Sequence, residues 1–296
     1  MNKATAEKKK ILITAKNSYV GNSFANWVSA NNNYSIDFIS CRTDDWKRLS
    51  FSNYDVILHV AGIAHVDAKS NQEALYYKVN RDLTIELAKK AKLDGVRQFI
   101  FMSSMIVFGE SNSKLPNVIV TKQTMPNPSG FYGDSKLQAE MGITSLQDES
   151  FNVVIIRPPM IYGKGSKGNF PKLVQLAKKT PIFPNIDNKR SMLYIDNLSE
   201  FIKLMIHNDE FGAFHPQNKE YVNTSEMVYK IASVYGKKIA LTKLFNPLIS
   251  SIGNKVNTVN KVFGTFTYEK EMSIYKESYW VSNLDDSILL TERSET

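Results

Sequence analysis

The sequence predicts an α/β fold built on a doubly wound parallel sheet, because short apolar segments alternate with amphipathic helices through its first half. The strand candidates are rich in Val, Ile and Phe, and they are Ile11–Thr14, Ile36–Ser40, Val56–Val60, Gln98–Ser103 and Val153–Arg157. Apolar residues at helical spacing predict helices at Gly21–Ala30, Glu73–Leu93 and Ser135–Leu146. Strands that alternate with helices in this way pair in parallel through right-handed crossovers, which is the arrangement of a Rossmann sheet.

The order of the segments also predicts where the sheet is abbreviated and where it ends. The connection Cys41–Asn53 is too short for a further helix and strand, so we expect a reduced sheet at that edge. After Arg157, prolines and glycines cluster, and separate helices follow at Phe170–Lys179, Asn197–His207 and Ser225–Gly236. We therefore predict a Rossmann domain over residues 1–163 and a smaller substrate-binding region over residues 164–296, some of whose elements return to the sheet.

Composition narrows the class of ligand. The chain of 296 residues has 37 Lys and Arg against 29 Asp and Glu, a formal charge of +8 that suits an anionic ligand, nucleic acid or an acidic membrane surface. The single cysteine, Cys41, and four histidines without H-x-x-x-H spacing lead us to predict no metal site. The N-terminal apolar run, Ile11–Thr14, is too short for a signal segment, so we expect a soluble, cytoplasmic protein.

The turn after the first strand is the candidate phosphate site of a dinucleotide. A tight strand-to-helix turn directs backbone N–H groups and the positive end of a helix at a phosphate. The three positions that such turns fill with glycine fall on Ala15, Ser18 and Gly21, so a plain βα turn is the alternative reading. We expect Ala15 to be sterically mild and Ser18 to offer its hydroxyl to the pyrophosphate. The cofactor-binding residues of this turn are then Ala15, Ser18, Tyr19, Val20 and Gly21.

The end of the second strand predicts which dinucleotide binds. An acid at this place accepts hydrogen bonds from a ribose 2′-hydroxyl, whereas an arginine pairs with a 2′-phosphate. Arg42 follows the strand, Asp37 lies too early within it, and Asp44 and Asp45 come after the arginine. We therefore predict NADP, with NAD as the alternative if Arg42 is only a solvated loop charge.

A tyrosine and a lysine one helical turn apart form the candidate catalytic set. Tyr132 and Lys136 lie on one helical face, so the ammonium is expected to lower the pKa of the phenol and make it an acid or base near neutrality. Ser103 and Ser104 end a strand at the carboxyl edge of the sheet, where a hydroxyl can hold a carbonyl oxygen beside the same phenol.

In this order along the chain, these features resemble the extended short-chain dehydrogenase/reductases, specifically the nucleotide-sugar epimerase/dehydratase family. The segments that carry the resemblance are HVAGIAH at His59–His65, Val79-Asn80 with Thr84, FIFMSSMIVFG at Phe99–Gly109, YGDSKLQAE at Tyr132–Glu140 and RPPMIYGKG at Arg157–Gly165. The departures from the family pattern are the degenerate glycine turn, Phe108 in place of the usual Tyr, and the short Cys41–Asn53 connection.

The resemblance implies roles for residues that composition and spacing do not assign. It makes Ser104 the catalytic hydroxyl beside Tyr132 and Lys136, and it adds a set that lines the cofactor together with Lys136, namely Ala61, Gly62, Asn80, Pro158 and Pro159. It also implies a UDP-sugar substrate, which would contact Ser104, Tyr132, Asn169 and Arg190. A forked guanidinium suits a diphosphate, although Asn169 also fits a helix N-cap and Arg190 a surface cation.

The segment Leu241–Tyr268 resembles the C-terminal stretch of capsule and O-antigen 4-ketosugar reductases. It mixes lysines with Leu, Ile and Phe at helical spacing, so we expect a helix that covers the sugar site. A weak contact with an anionic membrane surface is the alternative interpretation of the same pattern. We further expect a homodimer and no nucleic-acid partner, since no Arg/aromatic pattern of an RNA-binding motif is present.

Three functions stay open at this point. The first is an NADPH-dependent 4-ketoreductase of a UDP-linked 6-deoxy-4-keto-N-acetylhexosamine in surface polysaccharide biosynthesis, favoured by Arg42 and the C-terminal resemblance. The second is a 4-epimerase of a UDP-hexose or UDP-N-acetylhexosamine, favoured by the broad family match. The third is a non-catalytic, dinucleotide-sensing regulator, against which the intact Ser104, Tyr132 and Lys136 argue.

Overall fold

The computed structural model describes residues 8–63, 70–109, 117–253 and 262–293. Three subjects of the sequence predictions lie outside these residues: the N-terminal segment Met1–Glu7, His65, and residues 254–261 of the Leu241–Tyr268 stretch. The chain forms two compact units, of which the first consists of Met1–Val107, Pro128–Arg157 and Leu198–Phe214. The second unit consists of Phe108–Asn127, Pro158–Asn197 and His215–Thr296.

The first unit is built on a six-stranded parallel sheet. Its strands are β1 (Lys9–Thr14), β2 (Tyr34–Ile39), β3 (Val56–His59), β4 (Gln98–Met102), β6 (Asn152–Ile156) and β10 (Gly212–Phe214). They lie side by side in the order β10-β6-β4-β3-β1-β2. Its helices are α1 (Tyr19–Val28), α2 (Glu73–Tyr76), α3 (Leu83–Leu93), α4 (Phe131–Thr144) and most of α6 (Ile195–His207). The predicted α/β fold with a doubly wound parallel sheet is therefore confirmed.

The central strands are buried on both faces, as expected of a parallel sheet covered by helices. Every residue of β3 and β4 is buried, and the core cluster joins these strands to α3 and α4. The connection after β2 contains a single 3₁₀ turn, Asp44–Arg48, and no strand lies beyond β2 among the described residues. Trp46 and Phe51 anchor this short connection in the core, which confirms the predicted abbreviation of this edge.

The predicted helix Glu73–Leu93 is divided by a π-helical turn at Tyr77–Asp82. The wider turn carries Asn80, whose amide is fully buried and bonded to the backbone of Ile63. Periodicity does not reveal such a turn, because the apolar spacing of the flanking helices α2 and α3 continues across it. Turns of this kind often occur at functional sites.

The second unit consists of short strand pairs and helices. The parallel pairs are β5 (Asn117–Val120) with β12 (Thr265–Tyr268), β7 (Met160–Tyr162) with β9 (Met192–Tyr194), and β8 (Ile182–Pro184) with β11 (Ala240–Thr242). The helices are α5 (Phe170–Lys179), α7 (Thr224–Val234), α8 (Asn246–Gly253) and α9 (Leu284–Glu292). Helix α8 confirms that the stretch Leu241–Tyr268 contains a helix, and strand β12 ends the same stretch.

Gly21 allows α1 to approach the sheet closely. A Cβ atom at this position would lie 2.8 Å from Ile13 Cγ2 and 3.2 Å from Val60 Cγ2. This is the contact that requires the third glycine of a dinucleotide turn, where helix and strand pack against each other. The turn therefore retains glycine at the position where a larger side chain would crowd Ile13 and Val60.

Gly21→Ala is expected to lower the free energy of unfolding by about 1–2 kcal/mol, because overpacking at a well-packed contact costs about 1–3 kcal/mol and better helix propensity returns part of it. The measurement is chemical denaturation. Gly130→Ala is the matched control, since Gly130 has a φ of −161° and a Cβ added there would meet no atom within 4 Å. Equal stability of the two variants would show that the contact between β1 and α1 relaxes freely.

Candidate active site

The turn between β1 and α1 adopts the geometry of a phosphate-binding turn. Ser18 is the N-cap of α1, its Oγ accepts a hydrogen bond from Gly21 N at 3.2 Å, and the first turn of the helix contains no acidic residue. The Ser18 hydroxyl retains its own O–H as a donor, while Tyr19 and Val20 begin the helix. A helix N-terminus with these groups and without a repelling carboxylate fits a dinucleotide pyrophosphate.

Ala15 is strained, which corrects the expectation that it is sterically mild. Its φ is +70°, in the left-handed region that favours glycine. A non-glycine residue in this conformation costs about 1–2 kcal/mol, because its Cβ crowds the following carbonyl. The backbone holds it there through bonds from Ala15 N to Ile39 O at 2.8 Å and from Ser18 N to Ala15 O at 2.9 Å.

Arg42 lies exposed in the bend that follows β2, the neighbour of β1 in the sheet. The nearby acids have partners of their own among the described residues. Asp37 accepts from the Tyr54 hydroxyl at 3.0 Å, Asp44 lies 3.4 Å from Lys47 Nζ, and Asp45 accepts from Thr43 Oγ1 at 2.8 Å. This edge of the sheet therefore presents an arginine, with the acids bonded to other groups.

A buried chain of hydrogen bonds joins the ends of β1 and β3 to the π-helical turn. Thr14 Oγ1 accepts from the N–H groups of Val60 and Ala61, both at 3.1 Å, so its own proton goes to His59 Nδ1 at 2.9 Å. His59 Nε2 then donates to Thr84 Oγ1 at 2.9 Å, and Thr84 donates to Asn80 O at 2.7 Å. Burial, and secondarily the charge of Lys136, lowers the pKa of His59 to about 3, so the ring is neutral.

Asn80 links this chain of hydrogen bonds to helix α4, which carries Tyr132 and Lys136. Its Oδ1 accepts from Ile63 N at 2.8 Å, and its Nδ2 donates to Ile63 O and to Ser135 Oγ, both at 3.1 Å. Ser135 in turn donates to Tyr132 O at 2.9 Å. Asn80 therefore fixes the backbone of the Ile63 segment and the first turn of α4 relative to each other.

Lys136 is buried at the carboxyl edge of the sheet, with 5% of its surface exposed. Its Nζ donates to Met102 O at 2.9 Å and lies 4.6 Å from the centre of the Phe101 ring. A Cβ at Gly62 would lie 3.1 Å from this Nζ and 3.1 Å from Asn80 Oδ1, so the predicted cofactor segment passes directly beside the ammonium. Desolvation lowers the pKa of Lys136 to about 8, and the charge of Glu140 opposes this shift.

The Ser104 hydroxyl lies close enough to the Tyr132 phenol to influence its pKa. Burial raises the pKa of Tyr132 above its ordinary value, and the influence of Ser104 only partly opposes this. The expectation that Lys136 lowers the pKa of the phenol is therefore wrong. The physical reason is that desolvation outweighs the other influences, while the lysine ammonium donates to Met102 O.

A second buried cluster distinguishes Ser103 from Ser104. Ser103 donates a short hydrogen bond to Glu140, a residue with 2% of its surface exposed. Arg157 binds the same carboxylate with Nε at 3.1 and 3.2 Å from its two oxygens and with Nη2 at 2.6 Å from Oε2. Ser103 thus bonds to the Glu140–Arg157 ion pair, which connects the ends of β4 and β6 to α4, whereas Ser104 lies beside the phenol of Tyr132.

Four of the predicted residues belong to the second unit. Pro158 and Pro159 are buried directly after β6. Asn169 is exposed and occupies the N-cap position of α5, as the alternative reading expected, but its side chain makes no capping hydrogen bond. Arg190 is partly exposed, its Nη1 donates to Gly264 O at 3.0 Å, and its backbone bridges to Val222 and Phe266.

Within the described residues, no group of three or more His, Cys, Asp or Glu side chains is arranged to hold a metal ion. Cys41 is partly buried against the core, and burial raises the pKa of its thiol to about 12. No helix in the described part of the chain is long and apolar enough to cross a membrane.

Comparison with known families decides the class of protein. The family model described as the NAD dependent epimerase/dehydratase family matches residues 4–246. The chain belongs to this family of enzymes. The resemblance drawn from the sequence motifs is therefore confirmed, and with it the nicotinamide dinucleotide as the class of cofactor.

Two curated relatives show how close the similarity is. The chain is 31% identical over 290 residues to a UDP-glucose 4-epimerase from Vibrio cholerae, covering 87% of this chain and 86% of that protein. It is 28% identical over 222 residues to an N-acetyl-alpha-D-glucosaminyl-diphospho-ditrans,octacis-undecaprenol 4-epimerase from Escherichia coli O157:H7, covering 73% of this chain and 65% of that protein.

Solved structures show the same fold. A UDP-glucuronic acid 4-epimerase from Bacillus cereus matches with a TM-score of 0.73 at 18% identity, over 95% of this chain and 96% of that one. A dTDP-4-dehydrorhamnose reductase from Clostridium acetobutylicum matches with a TM-score of 0.71 at 19% identity, over 94% of this chain and 98% of that one. One fold therefore serves both reaction types.

The two polar clusters that hold helix α4 were not predicted from the sequence. His59 was considered only as a potential metal ligand, and Glu140 and Arg157 were assigned no role beyond their places in two family motifs. Their signal was the presence of ionisable side chains within or next to strongly apolar segments, since such groups are buried only with partners.

Lys136 generates a pH-dependent prediction. Its pKa is about 8 in the folded chain and about 10.4 when unfolded, so the unfolded state binds more protons between these values and stability rises with pH there. From about pH 7 to about pH 10, the free energy of unfolding of the wild type should rise by about 2 kcal/mol relative to Lys136→Met. Denaturation of both proteins at each pH measures this, and parallel curves would contradict the buried, charged lysine.

Proposed function

We propose that the protein is an NADPH-dependent 4-ketoreductase, which reduces C4 of a UDP-linked 6-deoxy-4-keto-N-acetylhexosamine in the biosynthesis of a surface polysaccharide. The observation that carries the proposal is the position of the Ser104 hydroxyl beside the Tyr132 phenol, whose pKa is raised by burial. A reduction needs a proton donor at the oxygen that becomes a hydroxyl, and a phenol with a raised pKa is protonated at neutral pH.

The side chains of the first unit divide the work at C4. Ser104 holds the C4 carbonyl oxygen within hydrogen-bond reach of Tyr132, and Tyr132 gives its phenolic proton to that oxygen. A bound nicotinamide dinucleotide supplies the hydride. Lys136 presents its ammonium beside the Gly62 segment, where it can bond the ribose of the cofactor and stabilise the phenolate left behind.

Two features of the nucleotide end support a reductase that uses NADPH. Exposed Arg42 suits a 2′-phosphate, because Asp37, Asp44 and Asp45 are bonded elsewhere. An epimerase must retain its dinucleotide through the whole cycle, whereas a reductase exchanges it at every turnover. The strained, non-glycine Ala15 turn suits exchange better than tight retention.

The second unit supplies the candidates for the sugar nucleotide. Asn169 and Arg190 both belong to it, and we assign them to the diphosphate of the substrate. Support comes from the exposed Asn169 amide without a capping bond and from the forked donor geometry of an arginine. The relatives from Vibrio cholerae and Escherichia coli carry names of enzymes that act on diphosphate-linked sugars.

A 4-epimerase is the second candidate, and the names of those two relatives favour it. The same Ser104, Tyr132 and Lys136 serve an epimerase, in which the phenol must act first as a base and then as an acid. A dinucleotide-sensing regulator has less support, because the proton-transfer set and its buried supports are complete.

The reaction is tested by supplying two substrates separately: the UDP-linked 6-deoxy-4-keto-N-acetylhexosamine with NADPH, and UDP-N-acetylglucosamine with NAD. We expect NADPH to be consumed in equal amount to a 4-hydroxy product, identified by NMR. Tyr132→Phe should reduce turnover by about 10²–10⁴ with cofactor binding retained, since general acid catalysis contributes this much.

Other outcomes of this experiment are informative. Interconversion of UDP-N-acetylglucosamine without net use of cofactor would replace the reductase by the epimerase. Binding of a dinucleotide without conversion of either sugar would favour the regulator. Near-parental activity of Tyr132→Phe would remove the phenol from the mechanism.

The choice of cofactor is tested by isothermal titration with NADPH and NADH. NADPH should bind more tightly by about 1–3 kcal/mol, the range for hydrogen bonds to charged groups. Arg42→Ala should remove most of this difference, while Arg48→Ala, an exposed arginine of the same connection, should leave it unchanged. Equal affinities of the parent protein for the two dinucleotides would contradict the assignment of Arg42.

A further inference from the structure

The positive charge of the chain is concentrated in two segments that contain no Asp or Glu. These segments are Ser150–Ile186 and Met227–Tyr268, and each contains six Lys or Arg residues. Together they exceed the formal charge of +8 of the whole chain, so the remaining residues are net negative. A separation of charge along the sequence predicts a strongly cationic surface if the fold brings the two segments together.

The second unit brings parts of the two segments together. Strand β8 pairs in parallel with β11, with Ala240 opposite Ile182 and Thr242 opposite Pro184. The Lys237 side chain donates to Lys178 O, and Asn246 Nδ2 donates to Asn185 O at 2.8 Å. The C-terminal end of α5, strand β8, strand β11 and the start of α8 therefore form one continuous surface.

This surface combines exposed lysines with exposed apolar side chains, and we name it the basic–apolar patch. Its members are Lys178, Lys237, Lys238, Lys243, Leu244 and Phe245. Leu244 is 85% exposed and Phe245 is 44% exposed, and Ile182 beside them is 49% exposed. Among the described residues, none of the four lysines forms an ion pair, in contrast to Lys9, Lys47, Lys92, Lys203 and Lys230.

The apolar tip is a defined turn. Leu244 N donates to Thr242 Oγ1 at 3.2 Å, and Asn246 N donates to Lys243 O at 3.0 Å. Ile249 N donates to Phe245 O at 2.9 Å and begins α8. Hydrogen bonds on both sides of Leu244 thus fix the turn, which exposes a large apolar side chain to water.

We propose that the basic–apolar patch docks the protein on an anionic lipid surface. Lysines attract the negative headgroups, and a leucine and a phenylalanine at the tip of a rigid turn can enter the boundary between headgroups and acyl chains. Nucleic acid fits less well, because the basic–apolar patch presents lysines and no arginine that could read bases, and Leu244 has no role there. The proposal does not depend on the reaction proposed above.

The test is flotation of the full chain with vesicles of phosphatidylglycerol and phosphatidylcholine, against vesicles of phosphatidylcholine alone. We expect binding to the anionic vesicles that weakens as salt increases. Leu244→Asp should weaken this binding about tenfold or more, since burial of the leucine side chain in the membrane contributes at least this factor. Each single Lys→Gln change at Lys238 or Lys243 should weaken it about fivefold.

Leu93→Asp is the matched control, because Leu93 is 87% exposed on α3. Helix α3 belongs to the first unit, whereas the basic–apolar patch belongs to the second unit. It should bind vesicles like the wild type. Thermal unfolding and NADPH binding of all variants verify that they are folded.

Three results would overturn the proposal. The first is absence of binding to anionic vesicles, and the second is an equal loss of vesicle binding in Leu93→Asp and Leu244→Asp. The third is binding to heparin and DNA that is as strong as binding to vesicles and is unchanged by Leu244→Asp. A dimer that dissociates on Leu244→Asp, without any vesicle binding by the parent, would assign the patch to a second copy of the chain.

Discussion

The burial of the Lys136 ammonium is the constraint on which the arrangement of the first unit depends. A buried cation is tolerated only when its charge and its protons are satisfied. Lys136 uses the Met102 carbonyl and the face of Phe101, and the charge of Glu140 favours its protonated form. The ends of β3 and β4 and the first turns of α4 must therefore keep their positions if the lysine is to stay charged.

The two polar clusters satisfy this requirement at two places along α4, the helix that carries Lys136. Near its start, Asn80 and Ser135 fix α4 to the segment that contains Gly62. Further along the helix, Glu140 is paired with Arg157 and with Ser103. Leaving a buried carboxylate unpaired is costly, so this cluster holds the ends of β4 and β6 against α4.

The sequence predicted the strands and most helices of the first unit because their apolar periodicities are strong and uninterrupted. It also predicted the abbreviated edge, since the length of Cys41–Asn53 left no room for another strand. It did not predict the left-handed conformation of Ala15 or the π-helical turn around Asn80, because both depend on contacts between distant segments. The opposite roles of Ser103 and Ser104 likewise follow from which side chain meets Glu140, and adjacent serines look identical in sequence.

The chain of bonds through His59 has a fixed direction. Backbone N–H groups donate to Thr14, Thr14 donates to His59, His59 donates to Thr84, and Thr84 donates to the carbonyl of Asn80. Because the last acceptor is a backbone carbonyl, no proton can leave the chain, and reversing any one bond would leave another donor without an acceptor. This chain of hydrogen bonds is therefore not a proton wire, and it fixes the ends of β1 and β3 to the turn that carries Asn80.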